Sequence, residues 1–322
     1  MVSSTKYNIF YCSRSFILVG LLLLSSCAKD EDFEMTISND KDKIRAYLAE
    51  NNINAREDDS GIFYSALHLN IGGREIQYND LVYFTYHMSL LNGDYVSSHT
   101  DTTNPLVFGY LSNGIIPVGI FHGVGLMKTG EEYRFYIPSY LAYEDYGNND
   151  FFPGGAIFIV DFKIIKKVTP KERLIIETNE ILLHLLKVDR NTESITIYPD
   201  NLFVANNKGG EGDSPGKGDV VKIHYVSKYL NDTVIRSTYN SEPVTFTIGN
   251  NEVLPGLEEG VKKMKEGGSA LIVVPSHLGY GASIQILPAE IKGDLQEKGL
   301  INSSIDPYSI LVFDVKLLEI ND

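Results

Sequence analysis

The stretch of sequence that decides the fold occurs twice. Residues 263–280 read KMKEGGSALIVVPSHLGY, and residues 126–143 read LMKTGEEYRFYIPSYLAY, at a constant offset along the chain. Upstream of each block lies a strand-like segment with one tyrosine in the same place, LVYFTYHMSLLNG around Tyr86 and VVKIHYVSKYLND around Tyr225. A repeat of this length indicates one domain present in two copies rather than a short-period solenoid.

The composition limits the classes of protein that this chain can represent. Its 322 residues are enough for roughly two domains. The formal net charge of −14 argues against a nucleic-acid partner, because phosphate binding requires a basic surface. The two cysteines, Cys12 and Cys27, both lie near the N-terminus, which excludes a disulfide framework in the rest of the chain.

The N-terminal segment has the pattern of a targeting signal. Lys6 and Arg14 precede an apolar run at 16–24 that is too short to span a bilayer as a mature helix. The run ends in the sequence LSSC at Cys27, which resembles a bacterial lipobox. We therefore expect a signal peptide at 1–26, lipidation of Cys27 and attachment to the lipid bilayer through its acyl chains. The alternative is an ordinary cleaved signal in which the cysteine occurs by chance.

A polar segment at 27–40 is expected to form a tether between the lipid and the first domain. It begins with AKDED at 28–32, which looks like the lysine-plus-acidic export tag of surface lipoproteins in Bacteroidetes-type envelopes. A solvated charged tether explains the same residues equally well. The expected location is the outer membrane, with the protein facing the periplasm or exposed at the cell surface.

The first copy is predicted to begin with a helix at 40–52 that carries Ile44, Tyr47 and Leu48 at helical spacing. Strands are predicted at 61–69 and 81–91, and Asn92-Gly93 then marks a hairpin turn. In the second of these strands, alternation predicts one buried face, made of Val82, Phe84, Tyr86 and Met88.

The second copy is predicted to repeat this order. It begins with a helix at 171–188, followed by strands near 202–205 and 220–226, a short helix after Pro255, and strands at 270–274 and 310–315. The first helix is predicted to bury one face, made of Ile175, Leu182, Leu185 and Leu186. The short helix is predicted to bury Leu257, Val261 and Met264. Strands around one short helix indicate an α+β domain.

Several kinds of chemistry are absent from the sequence. The glycine-rich run at 209–219 has Glu211 and Gly218 where a phosphate-binding loop needs glycine and a hydroxyl residue. The histidines show no metal-ligand spacing, and no Gly-x-Ser-x-Gly elbow is present. The sequence therefore predicts no metal, no cofactor and no activated nucleophile.

The segment VLPGLEEGVKKMKEGGSALIVVPSHLGYG at 253–281 resembles the signature of FKBP-type peptidyl-prolyl cis-trans isomerases. The closing segment at 310–320 and the Val-x-x-His-Tyr strand around Tyr225 resemble the same family. The resemblance implies an α+β fold of two tandem domains, each a curved antiparallel sheet wrapped around a short helix and preceded by another helix. Domain 1 would span 41–168 and be divergent, and domain 2 would span 169–322 with a better-preserved pocket and a longer loop at 282–309.

The resemblance also implies a proline-binding pocket between helix and sheet in each domain. In domain 2 the catalytic candidate is Tyr280, whose hydroxyl would hold the substrate carbonyl. The substrate-binding candidates of domain 2 are Tyr225, Val234, Val244, Val253, Leu254, Leu257 and Phe313. The weaker candidates in domain 1 are Tyr86, Tyr95, Leu106, Ile116, Pro117, Ile120, Tyr143 and Val160. The alternative for all of these is that they are core residues with no role in binding.

The chain departs from the family pattern in ways that weaken the pockets. The family's Phe-Asp pair is expected at Val234-Ile235 in domain 2 and at Tyr95-Val96 in domain 1, so that both domains lack the acid. Leu257 and Ile120 stand where an aromatic floor is common. The longer loop of domain 2 is expected to overhang the pocket of its own domain.

Three functions remain open from the sequence. The first is an envelope isomerase or folding helper that acts on X-Pro-containing polypeptides, mainly through domain 2. The second is a non-catalytic module that binds proline peptides or a protein partner on the same scaffold. The third is a lipoprotein that captures glycans or nutrients, because a fold does not fix a function.

Overall fold

A computed structural model describes residues 16–187 and 195–321, with side chains described from residue 32 onward. The chain forms two α+β domains in tandem, each built on one seven-stranded antiparallel sheet. The predicted signal peptide begins outside the described residues, and the side chain of Cys27 also lies outside them. The helices within the described ranges include none that is both long and apolar enough to cross a membrane.

Domain 1 contains two helices and eight strands. The helices are α1 (Phe16–Glu50) and α2 (Val118–Val124). The strands are β1 (Arg56–Glu57), β2 (Phe63–His68), β3 (Leu81–Leu90), β4 (Tyr95–His99), β5 (Leu106–Gly109), β6 (Ile115–Ile116), β7 (Glu132–Ile137) and β8 (Phe158–Val168). The sheet runs β1-β2-β7-β8-β3-β4, and β5 also pairs with β3.

Domain 2 repeats this arrangement and adds one helix. The helices are α3 (Pro170–Lys187), α4 (Pro255–Val261) and α5 (Lys292–Glu297). The strands are β9 (Ile195–Tyr198), β10 (Leu202–Lys208), β11 (Val220–Tyr229), β12 (Val234–Ser237), β13 (Val244–Thr247), β14 (Ser269–Val274), β15 (Gln285–Ile286) and β16 (Leu311–Asn321). The sheet runs β12-β11-β16-β14-β10-β9, and β13 also pairs with β11.

The short helix of each domain lies directly against its sheet because of two glycines. A Cβ on Gly256 would lie 2.3 Å from Val274, and one on Gly260 would lie 2.5 Å from Ile272. In domain 1, a Cβ on Gly119 or Gly123 would meet β7 at the same 2.5 Å. The glycine spacing therefore explains why both copies place helix and sheet in close contact, with the pocket beside them.

The longer helix of each domain packs on the opposite face of the sheet. Ile44 and Leu48 of α1 pack with Phe63 and Tyr136, as the predicted helix at 40–52 requires. The structure extends α1 back to Phe16, so the segment at 27–40 is helical where the sequence predicted a polar tether. Ile181 and Leu185 of α3 form the equivalent layer on the sheet of domain 2.

The buried face predicted for α3 is wrong except at Leu185. Ile175, Leu182 and Leu186 are exposed, and the buried positions follow the row Glu177, Ile181 and Leu185. Residues four apart share one face of a helix. The sequence pattern concealed this row because its first member is a glutamate, which apolar periodicity does not count.

That glutamate belongs to a clasp that both domains share. The Glu177 carboxylate accepts hydrogen bonds from the backbone N–H of Ser276 at 2.8 Å and from its hydroxyl at 2.6 Å. Asp40 of α1 accepts the same two bonds from Ser139, at 2.8 and 2.5 Å. In each domain the clasp fixes the preceding helix to the turn that leads to the pocket tyrosine, Tyr280 or Tyr143.

The long loop of domain 2 packs mostly on domain 1 rather than over the pocket of its own domain, although Ile284 and Leu300 line a cavity together with Tyr280. Residues 284–303, called the insert below, cross to domain 1, where β15 pairs in parallel with β6. The apolar insert residues that join the core of domain 1 are Ile286, Leu287, Ile291, Leu295 and Ile301. No local sequence pattern predicts this position, because the contact joins segments more than 140 residues apart, such as Tyr143 and Leu287.

Candidate functional site

Domain 2 has an open cavity of about 460 Å³ between α4 and the concave face of its sheet. This volume is in the range of small-ligand sites. The cavity brings together residues predicted from the sequence with others that were not, and its lining comprises Tyr225, Ser227, Ile235, Arg236, Val244, Asn251, Glu252, Val253, Leu254, Pro255, Leu257, Tyr280, Leu311 and Phe313. All the predicted domain 2 residues are present except Val234.

The apolar floor is held by contacts behind it. The rings of Tyr225 and Phe313 meet edge-on, with centroids 5.6 Å apart. The backbone N–H of Tyr225 donates to the hydroxyl of Thr238 at 2.8 Å, and that threonine is fully buried. Burial raises the pKa of the Tyr225 hydroxyl, which stays protonated at neutral pH. Leu257 on α4 completes the floor and is itself buried.

Tyr280 lies at the mouth of the cavity rather than in its floor. Its side chain is 41% exposed, the largest exposure among the predicted tyrosines of domain 2. The turn that presents it is fixed by the N–H of Gly281, which donates to the carbonyl of Ser276 at 2.8 Å. Because the Glu177 clasp holds Ser276, α3 positions Tyr280 through this turn.

The register of β12 corrects one predicted residue. Val234 is 57% exposed and does not line the cavity, whereas Ile235 does. Successive side chains in a strand point to opposite faces, so a shift of one residue exchanges the inside for the outside. The residue after Ile235 is Arg236, whose guanidinium lies 5.9 Å from the centroid of the Tyr225 ring.

Sequence reasoning missed Arg236 because the pairing between β11 and β12 contains an irregularity. The register shifts between Ser227, which faces Arg236, and Lys228, which faces Val234. A bulge of this kind adds one residue to one strand and cannot be placed from local sequence alone. Strict alternation places Val234 and Arg236 on one face and Ile235 on the other, so no local signal identifies the pair Ile235-Arg236.

The equivalent pocket of domain 1 is filled. Tyr86, Ile120 and Val160 are buried in one cluster together with Ile286 and Leu287 of the insert. The hydroxyl of Tyr143 donates to the carbonyl oxygen of Leu287 at 3.0 Å. Tyr86, Ile120, Tyr143 and Val160 are therefore brought together, and residues of the insert occupy the space between them.

Three further predicted residues of domain 1 lie around this filled pocket. Leu106 and Ile116 are partly buried and pack on the cluster, and Pro117 directly precedes α2.

The prediction for Tyr95 is wrong in the same way as that for Val234. Tyr95 is exposed, and its neighbour Val96 is buried in the cluster. Next along β4, the hydroxyl of Ser97 pairs with that of Tyr86 at 2.9 Å. Burial raises the pKa of Tyr86 to about 12, so the hydroxyl stays neutral within the core.

Comparison with known proteins identifies the family to which these two domains belong. The family model described as FKBP-type peptidyl-prolyl cis-trans isomerase matches residues 72–165 and 212–318, well over half of the chain. The chain belongs to the FKBP-type peptidyl-prolyl cis-trans isomerase family. Each matched segment covers most of one domain, so the family match repeats with the structural repeat.

Relatives of this family differ in how much of the chain they share. The chain is 26% identical over 250 residues to peptidyl-prolyl cis-trans isomerase FKBP9 of Bos taurus, a match that covers 77% of the chain and 36% of the relative. It is 39% identical over 136 residues to the probable FKBP-type isomerase FkpA of Neisseria meningitidis serogroup B, covering 42% of the chain and 43% of the relative. The crystal structure of FkpA from Escherichia coli aligns at 25% identity with a TM-score of 0.35, covering 47% of the chain and 62% of that structure.

The observed register of β12 and β4 changes which residues of this FKBP-type chain stand where the family's Phe-Asp pair was expected. The pair that faces the pocket of domain 2 is Ile235-Arg236, and in domain 1 it is Val96-Ser97. Domain 2 therefore carries a cation where an acid was expected, rather than an apolar residue. The rim of the open pocket thus combines Arg236 with Glu252, and its floor is apolar.

Proposed function

We propose that this chain is a peptidyl-prolyl cis-trans isomerase whose activity resides in domain 2. The observation that carries the proposal is the difference between two equivalent pockets. The pocket of domain 2 is an open cavity of about 460 Å³, whereas insert residues occupy the pocket of domain 1. We therefore expect an X-Pro segment from another polypeptide to enter the pocket of domain 2.

The open pocket suits the physical chemistry of prolyl rotation. The peptide bond rotates over a barrier of about 18–20 kcal/mol because the twisted amide loses its resonance. The twisted bond has less charge separation than the planar bond, so an apolar site that excludes water favours it over the ground state. Leu257 and Phe313 supply the apolar floor, and both are buried.

Tyr280 is the group we assign to positioning the substrate. Its partly exposed hydroxyl at the cavity mouth would donate to the carbonyl oxygen of the residue that precedes proline. In domain 1 the equivalent hydroxyl of Tyr143 makes this contact with Leu287, which precedes Pro288. The reaction breaks no covalent bond, and the proposed mechanism requires no cofactor or metal.

The matched pair Ile235→Trp and Val234→Trp tests the location of the activity. Neighbouring residues receive the same bulk, but only Ile235 lines the cavity. We expect Ile235→Trp to lower kcat/KM by at least about 10-fold, because a misplaced substrate loses its reactive geometry. Val234→Trp should stay within about 2-fold, since it changes an exposed surface position. The measurement is isomerisation of a proline tetrapeptide followed by NMR exchange, and equal effects of both variants would refute the assignment to domain 2.

A second candidate function is a non-catalytic module that binds proline-containing segments. The observation that favours it is the pocket of domain 1, which holds the Leu287-Pro288 segment as a fixed part of the structure. Under this alternative, proline peptides would bind domain 2 without faster isomerisation. The Ile235→Trp substitution would then abolish that binding. The NMR exchange measurement separates the two candidates, because it reports binding and rotation rates in the same sample.

We further propose that the protein is an outer-membrane lipoprotein that assists folding of X-Pro-containing polypeptides in the cell envelope. The support is the apolar run that ends in LSSC at Cys27. A single acyl chain binds membranes only marginally, whereas two or more hold firmly. We expect Cys27→Ser to move the protein from the membrane fraction to the soluble fraction and to abolish incorporation of labelled palmitate. A variant that remains membrane-bound would contradict the lipid anchor.

A further inference from the structure

The insert meets domain 1 as an extended peptide meets a binding site. The N–H of Gln285 donates to the carbonyl of Gly114 at 2.9 Å, and the N–H of Leu287 donates to that of Ile116 at 3.0 Å. Tyr143 then donates its hydroxyl to the carbonyl of Leu287 at 3.0 Å. Three directional bonds thus fix a short run of backbone that ends at Pro288.

The side chains of this run fill the space between the pocket residues. Ile286 and Leu287 are fully buried and belong to the same cluster as Tyr86, Ile120 and Val160. Pro288, which follows them, is also buried. The buried sequence is therefore Ile-Leu-Pro, read along a strand that adds to β6.

The helix that follows adds polar contacts at the edge of the pocket. The Tyr146 hydroxyl donates to the carboxylate of Asp294 at 2.5 Å. The ammonium of Lys298 lies 4.9 Å from the centroid of the same ring. Asp294 and Lys298 also pair with each other at 2.8 Å, so α5 and the residue that follows it place an ion pair beside one tyrosine of domain 1.

The insert leaves and rejoins its own domain at one place. The Ser283 hydroxyl donates to the carbonyl of Ile305 at 2.9 Å, and the N–H of Tyr308 donates to that of Gly281 at 2.8 Å. Among the described residues, the apolar core cluster of domain 2 contains no member of the insert. The buried apolar residues of the insert therefore belong to the core of domain 1.

We propose that the pocket of domain 1 is a binding site for extended Ile-Leu-Pro sequences, and that the insert occupies it as an intramolecular ligand. The pocket does not bind other polypeptides in the intact chain, because the tethered insert already occupies it. Other polypeptides that carry an apolar pair before proline bind it when the insert is displaced. This inference concerns domain 1 and does not depend on catalysis by domain 2.

The effective concentration of the tethered insert determines how strongly it competes with a free peptide for the pocket of domain 1. A segment held by a short linker presents an effective concentration of about 1 mM at its site. If a free peptide of the same sequence binds with a Kd of about 10–100 µM, the tethered copy weakens its binding by about 10- to 100-fold. The intact protein should therefore show no peptide binding at domain 1 at micromolar concentrations.

The test removes the insert from the full chain. Residues 284–304 are replaced by Gly-Ser-Gly, which the close approach of Ser283 and Ile305 permits. The probe is a fluorescein-labelled peptide of residues 285–291, QILPAEI, and the readout is fluorescence anisotropy. We expect the excised protein to bind the probe at least about 10-fold more tightly than the intact protein.

Two further substitutions identify the domain that holds the probe. In the excised protein, Tyr143→Phe should weaken binding by about 2- to 10-fold, because one hydrogen bond is lost. Ile235→Trp, which fills the cavity of domain 2, is carried in both the intact and the excised protein, so that the probe reports binding at domain 1. If Tyr143→Phe leaves the binding of the excised protein unchanged, the probe does not occupy the pocket of domain 1 and the inference is overturned.

A second variant covers the case in which excision prevents folding. Leu287→Asp keeps the full length but places a charge in the apolar cluster, which should expel the insert. The probe should bind this variant as it binds the excised protein. Failure of a folded variant to bind the probe would overturn the inference. Unfolding of both variants would overturn it as well, because the insert would then be an integral part of the core of domain 1.

Discussion

Two equivalent tyrosines should give opposite results when each loses only its hydroxyl. Tyr143 is buried and donates to the carbonyl of Leu287 at 3.0 Å, whereas Tyr280 is 41% exposed at an open cavity. Tyr143→Phe therefore removes a structural bond, and Tyr280→Phe removes a group that we assign to holding substrate. The ring remains in both variants, so the apolar packing does not change.

The expected magnitudes follow from these surroundings. Removing the donor to a buried carbonyl costs about 1–3 kcal/mol of unfolding free energy. At about 2–4 °C per kcal/mol for domains of this size, Tyr143→Phe should lower the melting temperature by about 2–12 °C. Tyr280→Phe should change the unfolding free energy by less than about 0.5 kcal/mol. It should lower kcat/KM by about 2- to 10-fold, which corresponds to one hydrogen bond of about 0.5–1.5 kcal/mol.

Differential scanning calorimetry and NMR exchange on a proline tetrapeptide measure the two effects in parallel. We expect Tyr143→Phe to melt at a lower temperature with unchanged turnover, and Tyr280→Phe to turn over more slowly with unchanged melting. A loss of turnover in Tyr143→Phe that exceeds the loss in Tyr280→Phe would refute both assignments. That result would place the activity in domain 1 and would require the insert to leave during turnover.

Three further predictions concern the clasp, the rim and the buried tyrosines. Glu177→Ala should destabilise domain 2 by about 3–5 kcal/mol, because the buried Arg173 loses the carboxylate at 2.8 Å and keeps only that of Glu180 at 3.5 Å. Asp40→Ala is the matched control and should cost about 1–3 kcal/mol, since its partner Lys43 is exposed; calorimetry showing the reverse order would contradict the clasp argument. Arg236→Glu should move the preference of domain 2 from acidic to basic residues beside proline by about 2- to 5-fold in kcat/KM, the size expected of an exposed charge pair, and an unchanged preference would remove Arg236 from the binding site. Burial raises the pKa of Tyr86 to about 12 in the folded state, whereas unfolded tyrosine titrates near 10. The folded state therefore keeps a proton that the unfolded state loses, and the stability of domain 1 should fall as pH rises from about 10 through about 12. Tyr86→Phe should reduce this loss in alkaline melting curves, and an identical pH dependence in that variant would show that other groups cause it.

Much of each domain could be predicted from the sequence by itself. The repeat, the tyrosine strands and the short helix after Pro255 depend on residues close together in the chain. Their periodicity reports which side faces the core, as it does for Val221 and Ile223 in β11, whereas β3 is buried on both faces. The glycines at the short helices follow the same logic, because close packing on the sheet leaves no room for a side chain.

Tertiary structure decided the features that depend on one irregular residue or on one contact between distant segments. The bulge between Ser227 and Lys228 placed Ile235 and Arg236 at the pocket, and local alternation could not locate it. The buried face of α3 passes through Glu177, whose burial depends on Ser276 nearly 100 residues away. Most of all, the sequence showed two similar pockets and a longer loop. That the loop fills one pocket and leaves the other open follows from packing between domains, which no local pattern encodes.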